Sequence, residues 1–205
     1  MRVETSAAFF LSIEFQETGY FVYRTYRAAY GRTPVPLTFE EFVRDVRRLN
    51  EGVIVGQLGA PDRLEANKQA FVEEFINRRE FTDRYPFIRP DEAANFVDSL
   101  NANAGGVLSQ AERDALVAQY TNGRKLILRR VVEDEDFKRL AFDQAFVLSQ
   151  YFGYLRRNPS DAPDTSFDGY DYWLAKLRQF GDFRRAELVK AFITSGEYRR
   201  RFGPQ

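Results

Sequence analysis

A short segment recurs four times in this chain, and it limits the fold more than any other pattern. Each copy has an acidic residue, at position 14, 80, 136 or 197, with an apolar residue five positions before it and an aromatic residue one position after it. Because this spacing is helical, we interpret each copy as the closing element of a helix in a degenerate repeat of roughly 60 residues. The copies are Ser12-Ile13-Glu14-Phe15, Arg78-Arg79-Glu80-Phe81, Asp134-Glu135-Asp136-Phe137 and Ser195-Gly196-Glu197-Tyr198.

Two of the units agree over a longer stretch. Residues 26–34 and 151–159 both read as an aromatic helix that ends in basic residues and is stopped by Pro. In both units the next helix has apolar residues at i, i+3, i+4 and i+7, which is typical of a buried helix face. These positions are Phe39, Phe42, Val43 and Val46 in one unit and Tyr170, Trp173, Leu174 and Leu177 in the other.

These patterns predict an all-α fold, a compact bundle of about nine helices built from degenerate repeats. The predicted helices cover residues 17–31, 38–50, 62–82, 91–101, 109–121, 124–139, 140–156, 169–180 and 184–201. We predict a single domain over residues 1–205, with repeat units at about 14–81, 82–136 and 137–202. The expected core residues are Phe21, Val22, Tyr26, Phe42, Val46, Phe71, Phe75, Phe96, Leu100, Phe146, Trp173, Leu177, Leu188 and Phe192.

Composition excludes several classes of function. Cys and His are both absent, so the chain cannot supply the usual zinc site, a Cys nucleophile or a Ser-His-Asp triad. The 30 basic side chains balance the 30 acidic ones, which argues against a dedicated nucleic-acid-binding protein. No window has the roughly 18 uncharged apolar residues that a membrane span needs. Glu14 interrupts the first apolar run too early for a signal peptide.

The later unit carries the fuller signature: Tyr151, then Leu155-Arg156-Arg157-Asn158-Pro159, then Asp168-Gly169-Tyr170-Asp171-Tyr172-Trp173-Leu174, then the closing segment from Phe192 to Tyr198. This signature resembles the bacterial family called domain of unknown function 4214, which is itself similar to the helical linker domains of phycobilisomes. The likeness covers about 140–202 and, in part, 9–81. The chain departs from the family pattern at Arg156, where Gly is usual, and in a longer loop at 160–166.

The resemblance implies an all-helical, non-catalytic module of large secreted or cell-surface bacterial proteins. It assigns no active-site residues to this chain. We therefore expect a structural or protein-interaction module without a cofactor, whose partner is another protein or a second copy of the chain.

An acidic stretch at 158–171 is the first candidate binding site. Four Asp residues, Asp161, Asp164, Asp168 and Asp171, lie there without any basic residue. Hard cations such as Ca²⁺ bind several oxygen ligands from flexible loops, so Ca²⁺ at Asp161, Asp164 and Asp168 is one interpretation. The spacing is not that of an EF-hand. The alternative is that Pro and Asp shape a turn, with Asp168 capping the helix that starts at Gly169.

Two further surfaces stay open as binding sites. Tyr172 lies off the apolar stripe of its helix, so we expect it to face water, where it could contact a glycan beside Asp168 and Asp171. The basic end of the chain, Arg199-Arg200-Arg201, could meet an acidic polymer or the acidic 161–171 loop of a neighbouring molecule, or it could simply complement the negative end of a helix. A carbohydrate-binding accessory domain is therefore the alternative function, followed by a carboxylate-dependent glycoside hydrolase, whose paired acids need not be close in sequence.

Overall fold

A computed structural model describes residues 2–31, 36–86 and 89–203, and the described chain is helical without strands. The α-helices are α1 (Arg2–Leu11), α2 (Ile13–Phe15), α3 (Phe21–Tyr30), α4 (Phe39–Leu49), α5 (Ala60–Phe75), α6 (Arg79–Arg84), α7 (Ala93–Ala104), α8 (Gln110–Ala118), α9 (Arg124–Val132), α10 (Glu135–Gln150), α11 (Asp168–Phe180), α12 (Leu188–Thr194) and α13 (Gly196–Phe202). Short 3₁₀ turns cover Pro90–Glu92 and Tyr120–Asn122, and π-helical segments cover Gln16–Tyr20 and Tyr151–Leu155. The all-α prediction is confirmed.

The helix count differs from the prediction because the recurring segment breaks helices. The first residue of each copy, Ser12, Arg78, Asp134 or Ser195, directly precedes a new helix. In three copies a side-chain oxygen of that residue accepts a hydrogen bond from the backbone N–H three positions later. Such a bond satisfies an otherwise unpaired amide at a helix start. Our interpretation of the segment as the end of a helix is therefore wrong, because the segment begins one.

The aromatic residue of the segment packs back across the break. The ring centres of Phe9 and Phe15 are 5.1 Å apart, and those of Phe75 and Phe81 are 5.8 Å apart. Phe81 and Phe137 are fully buried. In the first two copies, contact between the apolar and aromatic positions thus joins two consecutive helices across the break.

The helices form two compact units. The first contains the described residues of 1–20, 38–42 and 141–205, and the second those of 21–37 and 43–140. In the first unit α1 packs on α12, and the ring of Phe10 contacts that of Tyr154, with centres 5.2 Å apart. In the second unit α3 packs on α7 and α9, and Phe21, Phe71 and Phe75 are fully buried.

The expected core is buried except at two positions. Val46 and Trp173 are half-buried, while the other twelve expected core residues are buried. Asp45, the residue before Val46 in α4, is fully buried instead. Trp173 lines a surface groove. Among the described helices, none combines the length and the apolar character that crossing a membrane requires.

Candidate functional site

Arg157 holds together the loop that begins the acidic stretch at 158–171. Its side chain is buried, and every nitrogen of its guanidinium donates a hydrogen bond. Nε and Nη2 donate to the two carboxylate oxygens of Glu197 at 2.9 and 3.2 Å, and Nη2 also donates to Asp164 Oδ2 at 2.7 Å. Nη1 donates to the backbone carbonyls of Asn158, Pro159 and Asp161. A planar guanidinium suits this fork-like arrangement.

The four Asp residues do not converge on one point. Asp164 is ion-paired with Arg157, and Asp161 Oδ2 accepts a hydrogen bond from the backbone N–H of Asn158 at 2.8 Å, which closes a turn. Asp168 and Asp171 both lie in the first turn of α11. In the described part of the chain, no group of three or more acidic side chains is placed to hold a metal ion.

The capping prediction for Asp168 is wrong. The helix α11 already includes Asp168, and the residue before the helix is Phe167, which makes no side-chain capping bond. The backbone N–H of Asp168 donates instead to Ser166 Oγ at 3.2 Å. Acidic residues in the first turn still suit the positive end of the helix.

An open groove of about 250 Å³ lies beside Arg157 in the first unit. Its apolar floor includes Tyr151, Trp173 and Phe192, and its rim carries the paired carboxylates of Asp164 and Glu197. Burial raises the pKa of Tyr151, so its hydroxyl stays protonated at neutral pH. The groove therefore offers aromatic surface together with a neutralised polar rim.

Tyr172 lies next to the groove and is 56% exposed, as its position off the apolar stripe predicts. Its ring meets that of Trp173 edge to face, with centres 5.0 Å apart. The ammonium of Lys176 is 5.2 Å from the centre of the Trp173 ring and 5.8 Å from that of Tyr172. A cation at this distance interacts favourably with an aromatic face.

The predicted basic patch lies on α13. Arg199, Arg200 and Arg201 are all exposed, and Arg201 is 3.3 Å from the carboxylate of Glu197. The guanidinium of Arg156 is 5.0 Å from the ring centre of Phe202. Arg156 itself has φ 49°, the left-handed conformation that favours Gly.

The second unit contains a buried ion-pair cluster that the sequence did not indicate. Asp45 is fully buried, and its carboxylate accepts two hydrogen bonds from Arg78, at 2.8 and 2.9 Å. Arg44 donates to the same carboxylate, and the Tyr26 hydroxyl donates to Asp45 Oδ2 at 2.8 Å. A charge at an otherwise apolar helix position is the one sequence signal for such a cluster.

A second groove, of about 440 Å³, lies between α5 and α9 and is lined largely by ion pairs. Arg129 Nη2 is 2.7 Å from Glu65 and 3.1 Å from Glu133. Burial acts to raise the pKa of Glu65 and Glu133, but hydrogen bonds and charges of neighbouring Arg and Lys outweigh it, so both pKa values are lowered. These carboxyl groups are therefore ionised and held in structural pairs.

The loop between α4 and α5 exposes a run of aliphatic side chains. Ile54 is 56% exposed, Val55 is 66% exposed and Leu58 is fully exposed. Turns and a bend cover residues 55–59 of this stretch. The absence of any charged residue from 52 to 60 is the signal that could have identified it.

Comparisons with protein-family models, with characterised proteins and with solved structures found no match for the chain.

Proposed function

We propose that this chain is a non-catalytic structural module that self-associates, built from degenerate helical repeats as part of a secreted or cell-surface bacterial protein. The observation that carries the proposal is the exposed aliphatic loop at 53–58, which we call the apolar loop. Large exposed apolar patches mark interaction sites in soluble proteins. The resemblance to domain of unknown function 4214 supports the cellular setting.

The apolar loop is held in a fixed shape. Backbone hydrogen bonds link Val53 to Asn50 and Gln57 to Ile54. At its base, the side chain of Asn67 donates to the carbonyls of Leu49 and Glu51 at 2.8 and 2.9 Å. A pre-ordered loop loses little conformational entropy on binding, which favours a specific contact.

The composition of the apolar loop favours a protein partner over a membrane surface. Interfacial membrane segments combine aromatic anchors with Lys or Arg. Residues 52–60 contain neither, whereas Ile, Val and Leu suit a dry apolar groove on another protein. In a repeat protein the partner at the highest effective concentration is another copy of the module, which is why we propose self-association.

The charged groups support a non-catalytic role. A general acid in carboxylate catalysis needs a raised pKa. The pKa values of Asp45, Glu65 and Glu133, three carboxyl groups held in ion pairs, are lowered instead. Burial opposes this lowering in all three, and their Arg and Lys neighbours outweigh it.

Size exclusion with light scattering over a wide range of protein concentration tests the proposal. We expect a mass that rises with concentration, and loss of that rise in the double variant Val55→Ser/Leu58→Ser. Ile13→Ser is the matched control, because Ile13 is 75% exposed outside the loop. A monomer at all concentrations contradicts the proposal, and so does equal loss in the control. Repeating the series with calcium and with EDTA tests whether Asp161, Asp164 and Asp168 contribute.

A carbohydrate-binding accessory domain is the second candidate function. It is supported by the half-buried Trp173, whose ring lines the open groove beside the carboxylates of Asp164 and Glu197. Aromatic rings with a polar rim are the usual form of a small-ligand site. Quenching of the fluorescence of Trp173, the single Trp of the chain, on addition of a glycan would favour this candidate.

A further inference from the structure

A cluster of exposed arginines lies at α13 in a chain whose formal net charge is zero. The cluster consists of Arg156, Arg199, Arg200 and Arg201, and we call it the α13 arginine patch. We propose that the α13 arginine patch and the adjoining groove bind an acidic polysaccharide. This inference uses a different surface from the apolar loop, so its failure would leave the proposed self-association standing.

The positive charge of the patch is largely uncompensated. Within the described residues, Arg201 is the one member with a carboxylate at ion-pair distance, Glu197 at 3.3 Å. Glu197 is already bound through both its oxygens by Arg157, so its charge is shared between two guanidinium groups. Such a surplus of exposed guanidinium attracts an anion with several charges.

The patch adjoins the aromatic groove at the start of α13. Ser195 and Glu197 line the groove, and Arg200 Nη1 lies 3.5 Å from where a side chain on Gly196 would begin. The ammonium of Lys176 lies 5.2 Å from the ring centre of Trp173, which lines the groove. A chain of sugars can therefore place a ring against Trp173 and its acidic groups against the arginines.

A polysaccharide fits this surface better than a nucleic acid. Nucleic-acid-binding domains carry a large basic excess, with pI above about 9. The pI of this chain is about 6.4, well below that range. The groove rim also presents two carboxylates, Asp164 and Glu197, whose oxygens can accept hydrogen bonds from sugar hydroxyls, whereas the phosphodiester groups of a nucleic acid offer no such donor.

Trp173 is the single Trp of the chain and reports on the groove directly. We would titrate the protein with polygalacturonate and, separately, with neutral dextran, and follow Trp173 fluorescence. We expect saturable quenching by polygalacturonate alone. Because the arginines displace counterions, the affinity should fall about 20-fold between about 50 and 200 mM salt.

Two double variants that each remove two positive charges distinguish binding at the α13 arginine patch from a general effect of net charge. Arg199→Ser/Arg200→Ser should weaken polygalacturonate binding at least tenfold and flatten its salt dependence. Arg47→Ser/Arg130→Ser removes the same charge from two exposed arginines of the second unit and should leave binding unchanged. The proposal is overturned if polygalacturonate does not bind, if dextran binds equally well, if both double variants weaken binding equally, or if a DNA duplex competes as tightly as the polysaccharide.

Discussion

Arg157 and Glu197 form a two-point ion pair, although 40 positions separate them in sequence. Arg157 Nε donates to Glu197 Oε1 at 2.9 Å and Nη2 donates to Oε2 at 3.2 Å. The pair joins the loop after α10 to the last recurring segment, in which Glu197 is the shared acid. One guanidinium thus fixes both the 158–164 turn and the start of α13.

Arg157→Gln should destabilise the fold by about 3–5 kcal/mol, because it leaves the Glu197 carboxylate and three carbonyls without their buried donor. Chemical unfolding followed by circular dichroism measures this loss. Arg178→Gln is the matched control, since the Arg178–Asp143 pair is 3.9 Å apart and both side chains are about 40% exposed. The control should lose less than about 1 kcal/mol. Equal losses in the two variants would contradict the organising role of Arg157.

Arg156→Gly should be more stable than Arg156→Ala by about 1–2 kcal/mol. Both variants lose the contact with Phe202, so the comparison isolates the backbone, which has φ 49° at this position. Gly31 ends α3 with φ 94°, and Gly31→Ala should lose stability for the same reason. Thermal unfolding of the variants measures the difference. An Arg156→Ala protein as stable as Arg156→Gly would refute the argument.

Gly153→Ala should destabilise the protein by about 1–3 kcal/mol through overpacking. A Cβ at Gly153, inside the second π-helical segment, would lie 2.4 Å from the Phe10 ring, closer than atoms can pack. Gly196→Ala is the control, because its Cβ would meet only a flexible arginine at 3.5 Å and Ala favours a helix. The unfolding free energies of both variants decide the point, and a neutral Gly153→Ala would show that Phe10 moves aside.

The recurring segment is visible in the sequence, but the sequence did not predict that the segment begins a helix. The spacing of apolar and aromatic residues is visible in the chain, and Ser12 and Ser195 are good helix caps. Arg78 is not a capping residue, yet a helix begins directly after it. At this position the packing of Phe81 against Phe75 determines where the helix begins. Such a contact depends on tertiary structure, which the local sequence pattern does not reveal.

The sequence predicted which residues belong to the candidate site, but not which of them form ion pairs with one another. The sequence identified the acidic stretch, Tyr172 and the arginines of α13. It did not identify Arg157 as their centre, because a lone arginine carries no signal of a partner 40 positions away. Asp45 shows the same limit, since its main partner, Arg78, lies 33 positions further along the chain.

Asp45 should make the fold sensitive to acid. Burial acts to raise the pKa of Asp45, but hydrogen bonds from Arg78 and Arg44 outweigh burial and hold the pKa below its ordinary value of 3.8. A carboxyl whose pKa is lowered by folding contributes stability above its unfolded pKa and loses it as pH falls through the folded pKa. The wild-type protein should therefore lose this contribution below about pH 4.

Asp45→Asn isolates that contribution. At pH 7 the variant should be less stable than the wild type by about 3 kcal/mol, because the largely buried charge of Arg78 loses its buried partner and keeps only the more exposed Glu74. As pH falls below the ordinary pKa of 3.8, the gap should shrink, since protonation removes the same charge from the wild type. Asp83→Asn is the control, because the Asp83–Arg79 pair is exposed and should contribute less than about 1 kcal/mol at any pH. Unfolding free energies measured from pH 7 to pH 3 test this, and a gap that stays constant across the series would show that the Asp45 charge does not stabilise the fold.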